Sequence, residues 1–276
     1  MHDVHQPEVA VDRTIAAGRR LGIAVLMGAL ALLAPGAARA DHDMAAMSEN
    51  HQGKASELSV GLSVEAAEFD TTYYVGSYQG ITPSLGWMRG RFGATAAIGL
   101  YHLTENGLST YGAGDAMLGG MATVVDRETL RAGVALHMML PTGSELENLG
   151  MGHMMAMPSL WATWRSAPLT VSASAGYNRA LVGLGGHNHG LMPLVDPMNM
   201  QELAWSAAAD LDLGHGLQLG GKTLGGVPLG TGQTRMIGSG RVAWGTPRVS
   251  TGLEVQVGLV GDPFTVRGVL DTALRF

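Results

Sequence analysis

The C-terminal segment from Thr265 to Phe276, TVRGVLDTALRF, constrains the fold more than any other stretch of the chain. In an extended strand, successive side chains point to opposite faces. One face of this segment then carries only uncharged residues, namely Val266, Gly268, Leu270, Thr272, Leu274 and Phe276. The other face carries charges of both signs, at Arg267, Asp271 and Arg275. The segment therefore predicts a strand with one side against hydrocarbon and the other in a polar interior.

The same strand resembles the C-terminal signature of bacterial outer-membrane β-barrels, which end on an aromatic residue such as Phe276. The resemblance implies an outer-membrane location, contact with membrane lipid, and recognition of this strand by the barrel-assembly machinery. Composition agrees, because the chain is 46% hydrophobic and only 14% charged, yet no long apolar run follows residue 40. A barrel distributes its apolar residues by alternation and so needs no such run.

The N-terminal region predicts export. Arg19 and Arg20 precede an apolar run from Leu21 to Leu33, and Ala38-Arg39-Ala40 fits a small-x-small cleavage site. We expect residues 1–40 to be a secretory signal peptide cleaved near Ala40, with residues 1–18 either an overlong n-region or a misassigned start. A membrane anchor is the alternative, although the run is short for a span.

Residues 41–56 are polar and are predicted to form a flexible periplasmic tail, which leaves 57–276 for the barrel. Removing residues 1–40 takes away four basic and three acidic side chains, so the remainder has 17 − 4 = 13 basic and 23 − 3 = 20 acidic residues, a net charge of −7. Nothing in this balance indicates nucleic-acid binding.

Alternating patterns along the rest of the chain predict an all-β fold, a transmembrane antiparallel barrel of about twelve strands. The predicted strands are Glu57–Ala67, Ile81–Arg89, Phe92–Tyr101, Asp115–Val125, Thr129–Leu140, one ending at Arg165, Leu169–Ala180, Gln201–Leu213, Leu217–Thr223, Thr234–Trp244, Arg248–Leu259 and the terminal strand. The connections alternate between short turns and long loops, the latter including Phe69–Gly80 and His102–Gly114. Barrels in the outer membrane have short periplasmic turns and longer extracellular loops.

Aromatic residues beside the predicted short turns and at the terminus support this arrangement. They all fall on the predicted outward face, at Trp87, Phe92, Trp164, Trp244 and Phe276. Together they predict an aromatic girdle at one membrane interface.

Two short motifs flank the fourth and fifth predicted strands. Gly112-Ala113-Gly114-Asp115 opens one, and Leu140-Pro141-Thr142-Gly143 closes the other. The pair resembles the Gly-x-Gly-Asp entry and Leu-Pro-Thr-Gly exit of the outer-membrane transporter family named after the meta-pathway of phenol degradation. The resemblance covers about residues 110–165 and implies a small-solute channel or transporter, with Gly114, Asp115, Pro141, Thr142 and Gly143 as the motif residues.

The inward faces of the predicted strands place many titratable residues in the lumen. These are Glu57, Glu65, Arg131, His137, Glu202, Asp210, Asp212, Lys222, Arg235, Arg241, Glu254, Arg267, Asp271 and Arg275. Buried charges of mixed sign must pair or be hydrated. The pattern is compatible with a conducting lumen and with a salt-bridged, sealed one.

Methionine and histidine are concentrated in two predicted loops, which we expect to be exposed. The first loop holds Met151, His153, Met154 and Met155, and the second holds His187, His189, Met192, Met198 and Met200. Thioether sulfur with imidazole suits soft ions, so these residues are candidate ligands for Cu(I) or Ag(I). The alternative is that methionine fills packing gaps, which fits strand positions such as Met117, Met121 and Met138.

No nucleophile motif such as G-x-S-x-G is present, and no cofactor is required, so we do not expect an enzyme. The sequence favours an outer-membrane channel or transporter for a small solute, with a link to copper efflux or tolerance through the Met/His loops. A metal-binding or structural barrel with a sealed lumen, and an uptake channel for aromatic or hydrophobic compounds, are the alternatives.

Overall fold

Each strand of the computed structural model pairs with its neighbours in sequence, and the first pairs with the last, so the sheet closes on itself. The structure describes residues 56–71, 74–182, 194–195 and 197–276. They form the predicted antiparallel barrel, with twelve strands in the described residues. The strands are β1 (Glu57–Asp70), β2 (Val75–Arg89), β3 (Phe92–Glu105), β4 (Leu108–Asp126), β5 (Leu130–Leu140), β6 (Met154–Ser166), β7 (Leu169–Val182), β8 (Gln201–Gly214), β9 (Leu217–Pro228), β10 (Arg235–Gly245), β11 (Val249–Val260) and β12 (Phe264–Arg275).

The terminal segment closes the barrel as its alternation predicts. Val64 of β1 is opposite Leu270 of β12, and the backbone N–H of Phe276 donates to the carbonyl of Leu58 over 2.9 Å. Asp271 is buried inside the barrel, whereas the Phe276 side chain is 72% exposed. The alternation of the sequence therefore corresponds to the two surfaces of the sheet.

The outer surface is apolar along the strands. Alternate residues of β1, at Leu58, Val60 and Leu62, are all exposed, and so is Leu160 in the middle of β6. The five aromatic residues of the predicted girdle are also exposed and lie beside tight turns or the chain end. In the described part of the chain, no helix is long and apolar enough to span a membrane.

The two ends of the barrel differ in their connections. At the turn end, defined by the β2–β3, β4–β5, β6–β7, β8–β9 and β10–β11 connections, each link has two or three residues. His215 belongs to such a turn and has a φ of 55°. The opposite end, which we call the loop end, carries the β5–β6 and β7–β8 loops, of residues 141–153 and 183–200.

Two predicted loops at the loop end are wrong, because the strands continue through them. β1 extends to Asp70 and β2 begins at Val75, so residues 69–70 and 75–80 of the predicted loop Phe69–Gly80 are strand. The predicted loop His102–Gly114 is a hairpin that turns at Asn106 and Gly107, which have φ values of 48° and 85°. Asn-Gly is the preferred pair for such a two-residue turn, since both positions require positive φ. Long and short connections therefore do not alternate strictly.

Candidate functional site in the barrel lumen

Charged side chains line one side of the lumen. They come from β8 to β12 and from β1, and we call them the charged arc: Glu57, Glu65, Glu202, Asp210, Lys222, Arg235, Arg241, Glu254, Arg267, Asp271 and Arg275. Most are less than 9% exposed. They are eleven of the fourteen titratable residues that the alternation places in the lumen.

Two ion pairs in the charged arc pass over β9. Arg241 of β10 holds Asp210 of β8, with its Nε donating to Oδ1 over 2.7 Å, and Arg235 donates to Glu202 over 2.9 Å. The residues of β9 beneath these pairs are Gly220 and Gly226. A Cβ at either position would collide with the carboxylate above it. Glycine is therefore required there for the pairs to form.

A hydrogen-bonded chain continues the charged arc toward β1. The Nε2 of Gln256 donates to Glu254 over 2.9 Å, and the Nε of Arg267 donates to Oε1 of Gln256 over 2.8 Å. Arg267 also lies 3.6 Å from a carboxylate oxygen of Glu65 and over the ring of Phe264, at 5.0 Å from its centroid. Charges of both signs are thereby compensated, as burial requires.

The opposite side of the lumen, on β2 to β7, we call the apolar arc. Away from its ends it carries small, hydroxylated, aromatic and thioether side chains, including Tyr101, Ala135, Met157, Ser159 and Trp161. His137 lies among them, inside the barrel as predicted, and Arg131 is buried near the turn end in an ion pair with Asp126 at 3.0 Å. A cavity of about 270 Å³ lies between the two arcs.

The prediction for Asp212 is wrong. This residue is exposed near the end of β8, where its Oδ1 accepts a hydrogen bond of 2.8 Å from the backbone of Gly214. Its position in the alternation points inward, but the strand has already reached the turn. Its carboxylate serves the turn and not the lumen.

At the loop end, the lumen is filled by apolar side chains. Phe69, Tyr78 and Leu103 from the strands pack with Leu149 of the β5–β6 loop and Leu194 of the β7–β8 loop, all at most 2% exposed. Leu149 of the β5–β6 loop and Leu194 of the β7–β8 loop therefore lie inside the barrel. We call this group the apolar plug; its remaining buried members are Ala67, Tyr101, Val195, Ile237 and Phe264.

The motif residues explain how the β5–β6 loop is held. The carboxylate of Asp115 accepts backbone hydrogen bonds from Gly143 over 2.9 Å and from Met151 over 2.7 Å. Thr142 links the end of β5 to the middle of β4, since its hydroxyl donates to the carbonyl of Gly114 and accepts from the N–H of Ala116, each over 2.8 Å. The two motifs thus form a clamp on the loop.

Glycine and proline complete this clamp. A side chain at Gly143 would collide with the backbone of Leu149 and Gly150. Pro141 follows the last residue of β5, and its lack of an N–H suits a position where the ladder stops. The clamp therefore brings Leu149 and Met151 into the barrel.

A second buried carboxylate holds the end of the β7–β8 loop. Glu202 is fully buried and accepts hydrogen bonds from the side chains of Asn178, Asn199 and Arg235, at 3.0, 2.6 and 2.9 Å. Asn199 in turn exchanges two hydrogen bonds of 3.0 Å with the backbone of Gln233. The alternation placed Glu202 in the lumen, but its partners Asn178 and Asn199 were not predicted.

The predicted metal ligands lie in different surroundings. The expectation of exposed residues is wrong for Met151 and His153, because this part of the β5–β6 loop folds inward, and for Met155, which belongs to β6 and not to a loop. All three are at most 5% exposed. Met198 packs against the buried cluster that contains Met151 and Met155. Met154 and Met200 are half-buried and do not belong to that cluster. His187, His189 and Met192 lie outside the described residues. Among the described residues, no group of three or more His, Asp or Glu side chains could hold a metal ion.

The barrel and its polar interior define the class of protein: a β-barrel with the architecture of outer-membrane channels. Among solved structures, the chain is similar to the COG4313 outer membrane channel from Pseudomonas putida F1, with a TM-score of 0.61, 10% identity, and coverage of 83% of this chain and 98% of that one. It is also similar to the translocator domain of the autotransporter NalP from Neisseria meningitidis, with a TM-score of 0.52, 12% identity, and coverage of 82% and 90%.

A KdgM porin in complex with disordered oligogalacturonate has a TM-score of 0.51 and 9% identity, with coverage of 79% of this chain and 99% of that one. At these identities the likeness shows the fold. No protein-family model and no curated protein matches the sequence.

Proposed function

We propose that this chain is an outer-membrane protein whose lumen carries a small solute across the membrane. The supporting observation is the distribution of residues over the sheet: apolar side chains outside, and the charged arc with a cavity inside. In water, the continuous apolar outer surface would far exceed the patch of a few hundred Å² that soluble monomers expose. In a bilayer it faces lipid, and the aromatic girdle lies at the interface.

In this proposal, the turn end faces the periplasm, where the predicted tail of residues 41–56 precedes β1. Residues 1–40 are the leader that directs export, and the strand ending at Phe276 is the segment that the barrel-assembly machinery recognises. Short periplasmic turns are usual in barrels of this kind.

The solute class follows from the two arcs. The cavity contacts Lys222, Glu254 and Arg267 on one side and Met157 and Trp161 on the other. A small molecule with a charged or hydrogen-bonding end and an apolar face matches both sides, and an aromatic ring fits beside Trp161. The aromatic-uptake alternative is a narrower form of this proposal.

The second candidate is a sealed barrel, which the apolar plug favours because Leu149, Leu194 and Val195 of the two long loops are buried at the loop end of the lumen. Reconstitution in planar bilayers separates the candidates. A channel gives discrete conductance steps, and proteoliposomes swell faster in phenylalanine than in a sugar of similar size. Replacing Lys222 with Gln should change that ratio, whereas Arg275→Gln, outside the cavity lining, should not. Absence of conductance at every voltage, with no swelling, would leave only the sealed barrel.

A further inference from the structure

Three buried methionines form a row across neighbouring strands of the apolar arc. Met117 of β4 is the register partner of Met139 of β5, and Met139 is the partner of Met155 of β6. They are 6%, 1% and 0% exposed, on the inner face of the barrel. Cross-strand partners have Cβ atoms roughly 5 Å apart. The register therefore brings three thioethers to the same height in the lumen.

A fourth thioether joins this row from the β5–β6 loop. Met151 is 5% exposed and packs in the same cluster, and its backbone N–H donates to Asp115 over 2.7 Å. The clamp that fixes the loop thus also positions this side chain. We call Met117, Met139, Met151 and Met155 the methionine cluster.

The surroundings of the methionine cluster are open to the cavity. Met157 and Met198 pack against it and also line the cavity, and His137 is the register partner of Met157, one row toward the turn end. The other partly buried members are Ala97 and Ala180, which add no larger apolar group. An ion in the lumen would therefore meet sulfur and imidazole donors before it reached the cluster.

Packing alone does not account for the composition of this cluster. Methionine is an adaptable filler of irregular gaps, and this explains single positions such as Met88. The apolar plug, also inside the barrel, uses Phe, Tyr, Leu, Ile, Val and Ala. In the methionine cluster, every buried member carries a sulfur atom. Neutral thioethers are ligands for soft cations of low charge.

We propose that the methionine cluster binds one soft monovalent cation, Cu(I) or Ag(I), that enters from the lumen. The site differs from the loop site predicted from the sequence, since Met117 and Met139 belong to strands. It goes beyond the solute channel and is independent of conduction. A role in copper tolerance would depend on this site.

Titration of the detergent-solubilised protein with Ag(I) tests the proposal. The parent for all measurements carries His187→Ala, His189→Ala and Met192→Leu, which removes three candidate donors of the β7–β8 loop and leaves Met198 and Met200 in place. The test variant adds Met117→Leu, Met139→Leu and Met155→Leu, which keep volume and apolarity. The matched control adds Met88→Leu and Met121→Leu, two buried methionines of a neighbouring cluster. Heat-modifiable mobility in SDS gels verifies that each barrel is folded.

We expect the test variant to bind Ag(I) at least roughly 100-fold more weakly than its parent, because loss of even an outer-sphere partner of a metal ligand costs on the order of 10- to 100-fold. The control should stay within about twofold of the parent. X-ray absorption of the Cu(I)-loaded parent should show sulfur neighbours that the test variant lacks. Equal affinity in the test variant and its parent, or a folded parent that takes up no Ag(I), would overturn the proposal. Conductance of the same variants is expected to be unchanged, so failure of this site and failure of the channel proposal give different results.

Discussion

Replacing Asp115 with Asn should release the β5–β6 loop without unfolding the barrel. The carboxylate accepts two backbone hydrogen bonds, from Gly143 and Met151, at 2.9 and 2.7 Å. Hydrogen bonds to a charged group contribute about 1.5–3 kcal/mol each. Asparagine keeps one acceptor oxygen and turns its amide N–H₂ toward the second donor. We therefore expect a loss of about 3 kcal/mol from the docked state of the loop, or roughly a 100-fold larger undocked population.

Hydrogen exchange read by mass spectrometry measures this change. In D115N, amides of residues 143–151 should exchange roughly 100-fold faster than in the wild type, given the free-energy change above. Peptides from β1 and β12 should be unaffected, because their ladder does not involve the loop. Asp126→Asn is the matched control: it makes the same change on the same strand, but at the turn end, where Asp126 pairs with Arg131.

The reasoning would be refuted if residues 143–151 kept their wild-type exchange rates in folded D115N. It would also be refuted if D126N accelerated exchange in that loop as much as D115N does. If the docked loop restricts the lumen, D115N should in addition conduct more than the wild type in planar bilayers.

Two further perturbations test the interior and the exterior of the barrel. Arg241→Met should lower the free energy of unfolding by about 3–5 kcal/mol in urea titrations, because the charge of Asp210 then stays buried without Arg241. Adding Asp210→Leu should restore most of this loss. An Arg241→Met variant as stable as the wild type would contradict the buried pair. Leu160 lies on the outer face in the middle of β6. Leu160→Arg should lower the free energy of unfolding in lipid vesicles by about 2–4 kcal/mol, whereas Leu160→Phe should leave it nearly unchanged. Equal stabilities of the two variants would argue that this face does not contact the bilayer.

The barrel itself could be predicted from the sequence because alternation is a local property. In the terminal strand, the sequence alone separates Leu270 from Asp271, and closure then follows from pairing with β1. The strand ends were harder to locate. The residues after Phe69 and after Tyr101 include tyrosine, glycine and serine, which suit both loops and strands. Asn106-Gly107 lies in the second of these stretches and is the local signal of a two-residue hairpin turn.

The candidate site could be predicted only in part, because its strand residues are placed by alternation and its loop residues are placed by contacts between distant parts of the chain. Strand parity places Glu202, Arg241 and Arg267 inside, which requires no knowledge of contacts. The burial of Met151 and His153 depends on where a long loop folds, and this is decided by Asp115, far away in sequence. The alignment of Met117 with Met139 requires the register of β4 and β5, which a bulge near Thr123 shifts by one residue.

The separation of the charged and apolar arcs has a consequence for any molecule inside the barrel. Fixed charges of both signs crowd on one wall and are sparse on the other, so the polarity of the lining changes across the width of the lumen. A molecule with a charged end and an apolar side would lie across the lumen. Its charged end would contact β8–β12, and its apolar side would contact Trp161. Such a lumen would select solutes by the relative positions of their charged and apolar parts. Two molecules of equal size and equal net charge would then cross at different rates.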